Sequence, residues 1–343
     1  MKDAHAFVRT PIDELYQWFG AEAEPTSPTW GRLCAWIAET PAIADRLDAL
    51  PGQARQPNRF LAAIRYLDGP TEPGPDFLAW VERNWPTIEE IVLTRNTQTN
   101  EPGRCTVLAP LLASLPQPIA LLELGTSGGL CLLADRYRYA YTGAVELTAA
   151  PAAAPADAPT FPCVTDDPLP ADPAGLVIAA RHGLDRNPLE VADPDVRRWL
   201  RALVWPGEQD REGRLAAALD AAASDPAPTT RADLTEDPAG LLRRHLDALR
   251  AQAPDATPVV LHSAALAYLE RDDRDAVVDA IRAGGAHWLS FEGPTVITEL
   301  RPAVDALPPG PYTPHFIVAL DGVVRARAQS HGRWVHWLDA DAR

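Results

Sequence analysis

Basic charge is in short supply. Lys and Arg number 31 against 47 Asp and Glu, a formal net charge of −16. A surface of that sign repels a phosphate backbone, so nucleic acid is not an expected partner. The acids are spread along the chain and form no tail, and solubility is the reading they support. Cysteine is scarce as well. Cys34, Cys105, Cys131 and Cys163 are scattered, and no C-x-x-C pair occurs. That speaks against a zinc site or a disulfide framework and for reduced core thiols, so no metal is expected. No apolar run is long enough to cross a bilayer. The opening residues MKDAHAFVRT lack the apolar stretch of a signal peptide. The expectation is a cytoplasmic protein that meets neither membrane nor nucleic acid, with a small molecule as its partner. No internal repeat is visible, and the sequence is silent on oligomeric state.

What is present is ample core: 343 residues with 46% hydrophobic content, enough for one large or two moderate domains. Residues up to about 114 carry helical spacing and no strand alternation. Thr10-Pro11, Ser27-Pro28 and Thr40-Pro41 read as helix starts, a capping hydroxyl followed by proline in the first turn. Residues 77–93 suggest a longer helix. From Pro118 the pattern changes to short apolar runs alternating with helical stretches: 119–124, 176–180, 229–233, 258–262 and 288–291 as strands. Residues 130–137 read as a helix, 139–147 as an extra strand or hairpin, and 149–173 as a loop rich in Ala, Pro and Asp. Residues 315–320 and 323–328 flank Asp321-Gly322, a type I′ hairpin signal. The fold class expected is α/β, a Rossmann-like doubly wound sheet with a closing antiparallel hairpin, preceded by an N-terminal helical cap domain. The domains expected are 1–117, the helical cap, and 118–343, the cofactor-binding domain, with an insertion near 140–173.

The most informative stretch is Leu121-Leu122-Glu123-Leu124-Gly125-Thr126-Ser127-Gly128-Gly129-Leu130. A buried strand ends in a carboxylate and passes into a glycine-rich turn, where backbone can lie against a ligand. A helix following it would offer free N–H groups. The spacing differs from the dinucleotide fingerprint G-x-G-x-x-G. It resembles the first motif of class I S-adenosylmethionine-dependent methyltransferases. That resemblance implies S-adenosylmethionine as cofactor, cradled by Glu123, Gly125, Thr126, Ser127 and Gly128. It further implies an acid after the second strand for the ribose, Asp185 with Glu146 as rival, and an acid after the third strand, Asp233, for the adenine amine. As a solvated turn residue or a cap, each aspartate has an ordinary explanation of equal weight.

Ligands of open α/β sheets bind at the carboxyl ends of strands near the switch point. After the fourth strand stands Leu261-His262-Ser263, without an acidic or Asn-Pro-Pro pattern. His262 is the candidate proton acceptor, against the plainer role of a hydrogen-bonded histidine closing a strand. Glu292-Gly293 follows the fifth strand as a substrate carboxylate or a turn. The polar segment 94–104 precedes the first strand. In it Gln98, Asn100, Glu101 and Arg104 are candidate contacts to the methionine end, Arg95 or Arg104 for the carboxylate and Glu101 for the ammonium. The helix with Arg197, Arg198, Arg201, Trp199 and Trp205 is a core-packing element or a cation–π wall.

Gln56-Pro57-Asn58, Thr94-Arg95, Gln98-Thr99-Asn100-Glu101, Gly103-Arg104-Cys105, Gly183-Leu184-Asp185, Asn187-Pro188, Arg198-Trp199-Leu200-Arg201 and Leu261-His262-Ser263 together resemble a bacterial family, the domain of unknown function 2332. The resemblance covers nearly the whole chain, with Leu124, Thr126 and Gly128 departing from the family's pattern. It implies little function beyond a methyltransferase-like core. The leading expectation is an S-adenosylmethionine-dependent transferase acting on a small molecule. The alternatives are intramolecular cyclisation of S-adenosylmethionine and a non-catalytic small-ligand-binding protein of methyltransferase-like fold. A nicotinamide enzyme is disfavoured by the glycine spacing.

Overall fold

Proline opens most of the helices. In chain order these are α1 (Ile12–Ala23), α2 (Pro28–Ala38), α3 (Pro41–Asp48), α4 (Pro57–Tyr66), α5 (Pro75–Thr94), α6 (Cys105–Ala113), α7 (Pro194–Ala202), α8 (Gln209–Ser224), α9 (Pro238–Gln252), α10 (Arg271–Ala283) and α11 (Arg301–Asp305). Proline's missing N–H is lost where no intrahelical acceptor exists, and its fixed φ suits a first turn. Ser27 caps α2 through the Trp30 N–H. The Thr40 hydroxyl instead donates to the Trp36 carbonyl at 2.7 Å, so the cap expected of it is not made. The structure, a computed structural model, describes residues 10–98, 100–308, 310 and 315–338.

The chain forms two compact units. One is helical and consists of the described residues up to 98 with Ala192–Ala216; the other holds Asn100–Val191 and the described residues from Ala217 onward. The division expected from the sequence fell at 117/118. The observed one falls near residue 100, and residues 192–216 belong with the helices although the chain reaches them from the sheet.

The helical unit is built on aromatic side chains. Tyr16, Trp30, Phe60 and Phe77 are fully buried. Tyr16 meets Phe60 edge-on at 6.4 Å, and Trp36 meets Phe77 at 5.8 Å. Trp199 joins the same core, and Trp205 packs edge-on against Phe19 at 5.4 Å. Arg95 covers Tyr66 at 4.5 Å and Trp199 at 5.5 Å, and Arg198 covers Tyr66 at 4.9 Å. These cation–π contacts are made to the chain's own arginines, so the tryptophan helix is a packing element.

The sheet unit carries β1 (Ile119–Leu124), β2 (Arg138–Gly143), β3 (Leu147–Ala149), β4 (Thr160–Thr165), β5 (Ile178–Asp185), β6 (Thr229–Arg231), β7 (Thr257–Ser263), β8 (His287–Glu292), β9 (Phe316–Leu320), β10 (Val323–Ala328) and β11 (Trp334–Trp337). Their order is β3-β2-β4-β11-β10-β9-β8-β7-β1-β5-β6. The block β8-β7-β1-β5-β6 is parallel throughout. Every residue of β1 is buried, as a parallel strand covered on both faces should be. On one face Leu122, Leu124, Val260 and Trp288 pack with Leu246 of α9 and Ile281 of α10. The result is a mixed α/β fold with a large, mostly parallel sheet and an N-terminal helical region, consistent with a Rossmann-like arrangement.

Three local expectations are corrected. Residues 130–137 do not form an α-helix. A 3-10 turn, Cys131–Arg136, stands there, broken at Leu133 (φ −97°, ψ 23°). The stretch 149–173 is not all loop: Phe161, Cys163 and Thr165 alternate inward on β4, a periodicity hidden by Pro162. The β9–β10 hairpin turns at Asp321 (φ 54°) and Gly322 (φ 79°), the left-handed pair that a type I′ turn requires. It does not close the sheet, because β10 pairs with β11 and β11 with β4. Among the described residues no helix is long and apolar enough to cross a membrane.

His182 of β5 and His245 of α9 stack at 4.8 Å. Burial pushes the His182 imidazole below the usual histidine range; burial, then the His182 and Arg244 charges, do the same to His245. The folded state therefore binds these protons less readily than the unfolded chain, whose histidines titrate near about 6.5. Stability is complete above that pH and declines as pH falls below it. In urea unfolding between pH 7.5 and 5, the midpoint should drop on the acid side, and His245→Gln should flatten the drop.

Candidate functional site

Strand order reverses at β1: the chain fills β5 and β6 on one side, then β7 and β8 on the other. In open α/β sheets this reversal leaves a crevice at the carboxyl ends of the two central strands. The Glu123–Gly129 loop leaves β1 at that point. A depression of about 590 Å³ lies at the opposite, amino ends of β7 and β8, lined in part by Thr257, His287 and Asp321. It is open surface far from the loop, and the topology favours the carboxyl ends.

The loop is held entirely by protein groups. Gly125 and Thr126 donate their N–H groups to the Leu184 carbonyl, at 2.8 and 3.2 Å, and Gly129 donates to the Thr126 carbonyl at 2.8 Å. Ser127 N–H donates to Asp185 Oδ2 at 2.7 Å. Gly128 N–H donates to Asn100 Oδ1 at 2.8 Å, and Asn100 Nδ2 donates to Ser127 Oγ at 2.8 Å. Ser127 sits at φ 52°, a conformation L-residues seldom take. The Asn100 amide and the Leu189 N–H, which donates to the Ser127 carbonyl at 3.1 Å, hold it there. No α-helix follows, so the free N–H groups expected of a helix N-terminus are not supplied. Glu123 is buried at 3% exposure and accepts the Thr126 hydroxyl at 2.7 Å. Burial, then the neighbouring Cys131, raises its carboxyl well above the usual range, against Thr126 and Arg104.

Asp185 does reach the loop. The chain between Gly125 and Asp185 runs out to β2, β3 and β4 and returns to pair β5 with β1. Glu146, its rival, lies in the β2–β3 turn near the far rim and accepts the Gly143 N–H at 3.3 Å. Asp185 also accepts the Asn187 N–H at 2.7 Å. Asp233 behaves as a turn residue. It accepts the Thr235 N–H at 3.0 Å and hydroxyl at 2.8 Å, which hold its carboxyl below the usual range.

The polar segment before β1 divides. Gln98 and Arg95 belong to the helical unit, where Arg95 is ion-paired with Asp195. Asn100, Glu101 and Arg104 belong to the sheet unit. Glu101 accepts the Gly103 N–H at 3.0 Å and caps its own 3-10 turn, Pro102–Arg104. Arg104 spends Nε on the Ser330 carbonyl at 2.9 Å and Nη1 on Ser263, at 2.9 Å to the carbonyl and 3.1 Å to the hydroxyl. It clamps the end of β7. The role expected for it, a partner for a ligand carboxylate, would fall to Nη2, since Nε and Nη1 are bonded within the protein.

His262 takes the plainer of its two expected places, hydrogen-bonded at the end of β7. Its ring is fully buried. Trp288 Nε1–H, which can only donate, lies 2.9 Å from His262 Nε2, so Nε2 accepts and Nδ1 carries the proton. That proton goes to Glu292 Oε1 at 2.8 Å. Both ring nitrogens are engaged within the protein. Glu292 is the residue whose importance the sequence understated. Its Oε1 also accepts the Ala265 and Leu266 N–H groups, each at 3.0 Å, fixing the turn after β7. Its Oε2 is buried without a hydrogen-bond partner among the described residues. Period-2 alternation along β8 was the available signal: Trp288 and Glu292 share a face with the pair His262–Ser290. Among the described residues no group of three or more His, Cys, Asp or Glu could hold a metal.

Gly125 (φ 73°) has the Ala265 Cβ 2.4 Å from the place a side chain would occupy. At Gly129 (φ 74°) the nearest atom is 3.6 Å away. Gly125→Ala carries both strain and overlap and should cost about 2–4 kcal/mol, whereas Gly129→Ala carries backbone strain alone, about 1 kcal/mol. Urea unfolding of the two variants checks the difference; equal losses would contradict it.

Residues 13–337 match the model of a family described as uncharacterized protein conserved in bacteria (DUF2332). Neither the curated proteins nor the solved structures gave a match. A match over nearly its full length shows that the chain belongs to this bacterial family.

Proposed function

We propose that the sheet unit binds S-adenosylmethionine, or a closely related adenosyl ligand, at the carboxyl ends of β1, β5 and β7, and that the protein is a methyltransferase-like transferase acting on a small molecule. One observation carries this reading. The five consecutive N–H groups from Gly125 to Gly129 all donate within the protein, and carboxyl side chains stand at or near the carboxyl ends of the strands: Glu123 on β1, Asp185 on β5 and Glu292 on β8. A dinucleotide's pyrophosphate needs free N–H donors and a helix N-terminus; this loop offers neither. A ligand with ribose hydroxyls, an ammonium and a sulfonium suits acceptors instead. Asp185 would meet the ribose, since a carboxylate that accepts two backbone N–H groups retains further lone pairs. Transfer of a methyl group needs alignment and exclusion of water more than a strong base. The internal bonding of His262 is therefore compatible with that chemistry. The same bonding favours a second reading, binding without catalysis. Cyclisation of the cofactor on itself is the third, and would leave methylthioadenosine.

Calorimetric titration with S-adenosylhomocysteine and with NAD separates the ligand classes. Binding of the first and not the second is expected. Binding of NAD alone would overturn the reading. Asp185→Ala should weaken S-adenosylhomocysteine at least tenfold, as the loss of one hydrogen-bonded carboxylate of about 1.5–3 kcal/mol implies. Incubation with S-adenosylmethionine then sorts the three readings: S-adenosylhomocysteine in the presence of an acceptor, methylthioadenosine without one, or no turnover.

A further inference from the structure

Two cysteines sit where the polar segment before β1 meets the loop after it. Cys105 opens α6 directly behind the Pro102–Arg104 turn, and Cys131 opens the 3-10 turn that follows Leu130. Cys105 Sγ lies 4.0 Å from the Cys131 carbonyl oxygen, and Cys131 Sγ lies 3.8 Å from the Glu101 carbonyl oxygen. Each sulfur thus reaches across to the backbone of the other's neighbourhood, and both side chains are buried. Cys163 differs: its Sγ contacts the carbonyl of its own neighbour Val164, at 3.5 Å. Cys34 lies in the helical unit.

We infer that Cys105 and Cys131 form a redox pair, closing to a disulfide when the protein meets a hydroperoxide and thereby tying the Glu101–Cys105 segment to the end of the glycine loop. The chemistry assigns each sulfur a role. The neighbouring Cys105 thiol, then the Arg104 charge, hold the Cys131 thiol below the usual range, whereas burial pushes Cys105 well above it. Cys131 is thus the attacking sulfur. Its sulfur takes the distal oxygen of the hydroperoxide; the O–O bond breaks, and an alcohol leaves with the proton Cys131 gave up. Cys105 Sγ then attacks the sulfenic sulfur; the S–S bond forms, the S–O bond breaks, and water leaves with the Cys105 proton. Two thiols lose two electrons and the peroxide gains them. A bonded pair stands about 2.05 Å apart, and closing it requires the two side chains to rotate from the carbonyl oxygens they now contact toward each other. The bond matters for the site because Asn100, just ahead of the Glu101–Cys105 segment, already pins Ser127 and Gly128. Oxidation would make that linkage covalent.

The test uses the full chain and hydrogen peroxide. After oxidation, the protein is denatured and alkylated with iodoacetamide, and its mass is measured. The reduced protein has four free cysteines to alkylate. The oxidised protein should take two labels, and its digest should contain one cross-linked peptide pair joining Cys105 to Cys131, cleaved by dithiothreitol. In Cys105→Ser the disulfide should vanish and dimedone should trap a sulfenic acid on Cys131. Hydrogen exchange at residues 127–131 should slow severalfold in the oxidised wild type. Four labels after oxidation, a bridge through Cys34 or Cys163, or unchanged exchange in a bridged protein would each overturn the proposal. The mass measurement on wild-type protein stands even if the variant folds poorly.

Discussion

The Asn100 side chain and the Asp185 carboxylate grip one loop from two directions, and much of the sheet unit's chemistry depends on that grip. The Asn100 amide accepts from Gly128 and donates to Ser127; Asp185 accepts from Ser127. Ser127 is thereby kept in a left-handed conformation that its side chain disfavours. Backbone strain of this kind persists only where the surroundings over-determine it. Here they do so with neutral amide bonds on one side and a charge-assisted bond on the other, which is the stronger type.

A second network, one strand away, is equally closed. Trp288, His262 and Glu292 run in series across β8 and β7, and Glu292 ends on the turn that faces Gly125. Arg104 clamps the same strand end from the other side, through Ser263. Arg104 and Glu292 thus both bond to the backbone around the end of β7. Buried polar groups demand partners, and when a protein supplies all of them internally the result is a rigid frame. The Glu292 oxygen left over is the exception within this frame.

Much of the fold was legible in the sequence because its signals are local. Proline at helix starts, continuous apolar runs for parallel strands and Asp-Gly for the hairpin each report on a few neighbouring residues. What escaped was non-local. Nothing near Phe161 announces that β4 joins a sheet, since Pro162 reads as a breaker and its parallel neighbours, Trp334–Val335 and Ala140, are remote in sequence. The site divides in the same way. The loop and the position of Asp185 followed from the strand pattern. The actual bonding of His262 and Arg104 did not, because Trp288, Glu292 and Ser330 had first to be brought alongside.

The two rims of the sheet have a bearing on how the molecule behaves in company. Each outermost strand is only three residues long, β3 at one rim and β6 at the other. A sheet of this size with a long bare edge would be a template for a second copy, each unpaired N–H and C=O inviting another strand. Ending in such short strands, one of them closing with Arg231, leaves too few free backbone groups in a row for edge-to-edge growth. The strong negative charge of the chain adds mutual repulsion between copies. Short rims and like charge together work against growth of the sheet by addition of a second copy.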